Sequence, residues 1–223
     1  FQTILITGGV GLVLLYERKW IETFFVASGV LSAILIVQGG GDMVIWGQPF
    51  AQLLKYITYN AAHSGDYTLG PWYIYFLFLL GALVPPVSLF IFTGFFYTWR
   101  KILILFLPTL LFLLFHSVYP NKQERFITTI IPFLIITGLI GWQWFCESRK
   151  NKIFLFRFTQ RAWILFWIIN LILLIPVSVM YSKKARVESM VYLSRYENLH
   201  YFVIEDVNKD VLRFPPMFYL EKW

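Results

Sequence analysis

"AWILFWIINLILLIPVSVMYS", residues 162–182, is a stretch in which no side chain carries a charge. Wound into a helix at about 1.5 Å per residue, a run of this length reaches about 30 Å, the thickness of a bilayer's hydrocarbon core. Uncharged stretches also occupy residues 23–41, 67–99, 102–121 and 126–146, and a shorter apolar run opens the chain at 1–16. The composition agrees: 58% of residues are hydrophobic and 20% aromatic, while only 14% are charged. Soluble domains carry about 25% charged residues, so the expected class is an all-α polytopic membrane protein with about six transmembrane helices. The chain does not begin with Met, and the short first run reads as the continuation of a longer protein.

Basic residues set the expected orientation, because Lys and Arg accumulate in short cytoplasmic connections. Arg18, Lys19, Arg100, Lys101, Arg149, Lys150, Lys152, Arg157 and Arg161 fall on one side of the alternating spans. Lys55, Lys122 and Arg125 fall on the other. The expected division is therefore a helix bundle over 1–181, with an exterior loop at 39–71, followed by the start of an exterior α/β domain at 182–223. In that tail, "ESMVYLSRYENL" spaces Met190, Leu193 and Tyr196 as a helix does, and "HYFVIED" reads as a strand. The net charge of +7 is accounted for largely by the cytoplasmic connections, and no basic stripe with interleaved aromatics points to nucleic acid.

Cys146 is alone, so no intrachain disulfide can form. Asn60, Asn121 and Asn198 lack a Ser or Thr two positions on, which favours a bacterial inner membrane over the endoplasmic reticulum. His63 and His116 have no second ligand at metal spacing, so no metal and no cofactor is expected. Pro85 and Pro86 interrupt the run at 67–99 and predict a kink there. In the exterior loop, Gly39, Gly40 and Gly41 are expected to let the chain leave the membrane. An amphipathic helix over 49–60 then spaces Phe50, Leu53, Leu54 and Ile57 to lie on the bilayer surface.

Between two apolar runs stands "HSVYPNKQERFITTIIPF", residues 116–133, with Lys122, Glu124 and Arg125 close together. Fixed cations at a membrane interface stabilise negative charge that grows on a departing lipid phosphate. Arg125 offers a planar fork to two phosphate oxygens and Lys122 a compact point charge, while Glu124 can orient a cation or hold an acceptor hydroxyl. The plainer alternative makes all three interfacial anchors. Asp42 is a second carboxylate near the acceptor, a partner for a loop cation, or a turn cap after the glycines. Tyr67 and Trp72 can stack on a sugar or anchor the interface.

The segments "DMVIWG", "YNAAHSGDYTLGPWYIYF" and "PNKQERFITTIIPF", in this order, resemble glycosyltransferase family 22, the polyprenyl-phosphate-sugar-dependent mannosyltransferases of N-glycan and glycosylphosphatidylinositol assembly. Asp42, Trp46, Gly47, Asn60, Tyr67, Pro71, Trp72, Pro120, Lys122, Glu124, Arg125 and Phe126 match that family's motifs over roughly residues 39–135. Gly70 and Asn121 stand where the family has His, and Gln123 where it has Glu. The resemblance implies a C-type glycosyltransferase fold, a polyprenyl-phosphate-linked sugar as donor, a lipid-linked glycan as acceptor, and Asn60 among the sugar or acceptor contacts. It also implies a principal catalytic Asp in an earlier exterior loop, upstream of Phe1, so that this chain alone is inactive. A lipid or solute transporter with a phosphate-binding mouth is the alternative, and ionisable residues at mid-membrane would favour it.

Overall fold

The computed structural model describes residues 2–63, 65, 69–149, 152–181, 184–199, 201–203 and 217–220. These are overwhelmingly helical, and no strand occurs among them. The contacts divide the chain into two compact units, Phe1–Phe166 and Trp167–Trp223.

In the first unit, α1 (Gln2–Tyr16) packs against α7 (Leu103–Val118), and α6 (Val87–Tyr97) against α9 (Ile131–Glu147). Small residues make both contacts. A Cβ on Gly9 would meet the Pro108 Cα at 2.6 Å, and one on Gly94 would collide with the Gly138 carbonyl. A Cβ on Gly141 would in turn strike the Gly94 carbonyl. Lipid tails are as apolar as leucine, so membrane helices associate by such close backbone approach rather than by exclusion of water. Phe90 stacks on Trp142 at 4.3 Å between centroids, and Phe95, Phe112, Leu113, Ile127 and Leu134 fill the core.

Three helical stretches are long and apolar enough to cross a membrane: Trp20–Trp46, Glu124–Glu147 and Lys152–Val179. The first joins α2 (Trp20–Ala33), a π-helical turn (Ile34–Gly40) and α3 (Gly41–Trp46). The last is α10. The 16 residues of α7 span only about 24 Å, so α7, like α1, is shorter than the expected crossing.

The run at 67–99 departs further from expectation. It forms α5 (Ile74–Ala82) and α6, bent by 120° at residues 83–86, so that Phe76 lies near Phe92. Two successive prolines remove two amide donors and Val84 adopts φ 54°, which together turn the chain back where a kink was expected. The glycines of 39–41 also behave differently. Gly40 and Gly41 are helical, and the helix runs on to Trp46; the chain turns out at Gly47 (φ 70°) and Phe50 (φ 59°). Gly39 instead makes room for the Phe50 ring, which a Cβ there would approach to 2.9 Å.

Paired contacts place the connections at common ends. Lys101 lies 4.7 Å from the Trp144 ring and 4.8 Å from Tyr97, gathering the 98–101 and 144–149 segments at one end of the α6–α9 pair. An isolated antiparallel bridge, Leu69 to Asn121, joins two further connections. In the second unit, α11 (Lys184–Ser194) packs on a 3-10 turn (Met217–Leu220) through buried Met190 and Leu220. The helix expected in "ESMVYLSRYENL" is thus present, earlier by several residues. Of the expected strand, Tyr201–Val203 has no regular structure, and His200 and 204–206 lie outside the described residues.

Candidate active site

α7 stops because Pro120 follows: the residue before a proline avoids helical geometry, and Tyr119 is extended at φ −63°, ψ 132°. Its last carbonyls therefore lack intrahelical partners. Lys122 Nζ turns back to them, donating to the carbonyl oxygens of His116 at 2.8 Å, Ser117 at 2.7 Å and Tyr119. Lys122 is only 8% exposed. Burial draws its pKa down from 10.5, while three carbonyl dipoles at the negative end of a helix favour the charged form.

The stretch that follows is tied to the earlier connection at each step. Asn121 pairs with Leu69 along the backbone, and the Lys122 stem lies against Gly70, where a Cβ would stand 3.0 Å from Lys122 Cγ. The Gln123 amide donates to the Tyr75 hydroxyl at 2.9 Å, and that hydroxyl donates to the Gln123 carbonyl at 3.1 Å. Gln123 Nε2 also donates to Asn121 Oδ1 at 3.1 Å. Gly70 thus packs against Lys122, and Asn121 and Gln123 flank it in the chain.

A short helix, α8 (Glu124–Ile127), then presents Glu124 and Arg125, both exposed. Neither makes an ion pair among the described residues. The Arg125 guanidinium lies 5.5 Å from the Phe126 ring centre. Phe126 lines a cleft of about 220 Å³ with Phe115, His116 and Tyr119 on one wall, and Tyr56, Ile57, Asn60 and Ala61 on the other. That second wall belongs to α4 (Ala51–Ala62), the amphipathic helix expected over 49–60. The Tyr119 hydroxyl donates to the Asn60 carbonyl at 3.2 Å and joins the walls. Asn60 Nδ2 donates to the Tyr56 carbonyl at 2.8 Å within its own helix.

Asp42 is buried at the start of α3, and its Oδ2 accepts from Gln38 Nε2 at 3.0 Å and from the Gln52 amide at 2.9 Å. It caps the first turn of α4 rather than a turn of its own. Trp72 is exposed and meets Tyr73 and Phe76 edge-on, away from the cleft walls. Tyr67 lies outside the described residues. The structure therefore gathers Asn60 with His116, Tyr119 and Phe126, which bracket the 122–125 segment, and sets Asp42 and Trp72 apart from that cleft. His116, Tyr119 and Tyr75 were not singled out by sequence as site residues. Their only signal was position: Tyr75 closes the earlier motif, and His116 and Tyr119 precede Pro120. Among the described residues no three His, Cys, Asp or Glu side chains converge as metal ligands.

A family model described as the Alg9-like mannosyltransferase family matches residues 3–221. No curated protein and no solved structure matches the chain. The match spans both connections that build the cleft and both compact units, and long apolar helices make the chain a membrane protein. This chain belongs to the Alg9-like mannosyltransferase family and is a membrane glycosyltransferase by membership.

Proposed function

We propose that the protein transfers a sugar, with mannose as the first candidate, from a polyprenyl-phosphate donor to a lipid-linked glycan. The observation that carries this reading is the cleft itself: an aromatic-walled space of about 220 Å³ lined by Phe126, whose ring centre lies 5.5 Å from the Arg125 guanidinium, a group without an ion pair among the described residues. Aromatic faces suit a sugar ring or an isoprenoid, and a guanidinium at the rim suits a phosphate that gains charge as the sugar leaves. Of the two cations expected to bind that phosphate, Arg125 takes the contact, since among the described residues its donors engage no protein acceptor. Glu124 is assigned to an acceptor hydroxyl. Asp42 holds α4 in place, and the base that activates the acceptor is none of these residues.

The chain crosses the membrane six times in this reading, with α6 making the crossing of the 67–99 run and α5 folded back on it. The parallel run of α6 and α9, in which Ile91, Gly94 and Thr98 meet Gly138, Gly138 and Gly141 in turn, supports two crossings in the same direction. The cleft then opens to the periplasm, or to the lumen of the endoplasmic reticulum in a eukaryotic cell. The test is donor choice by the intact purified protein in lipid. Transfer from a polyprenyl-phosphate sugar, with none from the matching nucleotide sugar, is expected; the reverse preference overturns the proposal.

A further inference from the structure

An ammonium has three N–H donors, and at Lys122 three carbonyl oxygens lie in place to accept them: those of His116, Ser117 and Tyr119. Gly70 lies against its stem, and the Tyr75 ring centre lies 5.3 Å from Nζ. A group so surrounded, 8% exposed, has no donor left for a phosphate oxygen. An interfacial anchor would instead hold its ammonium in water.

We infer that Lys122 is a positioning residue: it caps α7 and fixes the segment from Asn121 onward so that Arg125 stands at the cleft. The inference rests on the reading that Arg125 takes the donor phosphate. The segment leaves α7 at Tyr119, turns at Pro120 and is held on its far side by the Leu69 bridge and the Tyr75–Gln123 pair. Lys122 closes the near side. With both sides fixed as far as Gln123, Glu124 and Arg125 begin α8 in one place, and that place borders the cleft through Phe126. Gly70 belongs to the same device, because any side chain there would press on the lysine stem.

A double-mutant cycle on transfer by the intact protein separates positioning from phosphate contact. Lys122→Met keeps the stem and removes the ammonium. Its kcat/KM is expected to fall roughly 10- to 100-fold in the wild-type background, the scale of a misplacement of about 1 Å. In an Arg125→Ala background the same change is expected to cost less than about twofold. Losses that multiply in the double variant overturn the inference, since Lys122 then acts independently of Arg125, through a contact or through general folding. Should Lys122→Met fail to fold, Gly70→Ala crowds the stem and leaves every charge in place. A loss of several-fold that vanishes beside Arg125→Ala supports positioning, and a wild-type rate for Gly70→Ala overturns it. If Arg125→Ala alone keeps the wild-type rate, the phosphate reading falls and takes the inference with it. If Arg125→Ala is impaired but the losses multiply, the phosphate reading stands and only the positioning role falls.

Discussion

Replacing Asp42 in two ways separates its bonding from its charge. The carboxylate accepts the Gln52 amide at 2.9 Å and so caps α4 across the loop. Asp42→Ala is expected to lose about 1–2 kcal/mol, the scale of a helix N-cap, and to lower the thermal midpoint in detergent. Asp42→Asn keeps an acceptor oxygen and is expected to stay near wild type in both unfolding and transfer. A large fall in transfer for Asp42→Asn, with the midpoint intact, would give the carboxylate a chemical role. From sequence, Asp42, Lys122 and Arg125 were legible as polar residues set where apolar ones prevail. Their partners were not, because the acceptors of Lys122 are backbone carbonyls, which every residue has and no side-chain pattern announces. A lysine that caps a helix and a lysine that waits for a phosphate are written with the same letter.

The helix pair α6–α9 depends on Gly94, Gly138 and Gly141, whose backbones lie in contact. Gly94→Val forces the two helices apart and is expected to cost about 3 kcal/mol or more in thermal unfolding, the upper range for overpacking. Ser88, buried in α6, has a hydroxyl without a partner among the described residues. Removing such a group relieves a desolvation cost of about 1–3 kcal/mol, so Ser88→Ala is expected to raise the midpoint. A lowered midpoint for that variant would mean that the hydroxyl is satisfied after all. At this scale the sequence was informative where a pattern is local: α4 appears almost where its apolar spacing put it. It misled where the outcome depends on neighbours. Gly39–Gly41 looked like a chain exit, yet they stay helical, and Gly39 serves to admit the Phe50 ring. Pro85 and Pro86 predicted a break but not its 120° extent, which also reflects how α5 packs over α6.

For the whole molecule, length and apolarity identified a membrane protein, and the motif order identified the family. The span lengths were less legible, since a run of uncharged residues does not show where a helix ends inside it. Topology is open to direct labelling. With Cys146 replaced by Ser, a cysteine at position 125 is expected to react with a membrane-impermeant reagent from the exterior, and one at position 149 only from the cytoplasm. Reaction at 125 from the cytoplasmic side would reverse the proposed orientation. The central claim is that Arg125 stabilises the phosphate as the sugar departs, and the most direct measurement is kcat/KM for the polyprenyl-phosphate sugar in Arg125→Ala. A fall of about 100- to 1,000-fold is predicted, with Arg125→Lys recovering part of it. A wild-type kcat/KM in Arg125→Ala would contradict the account.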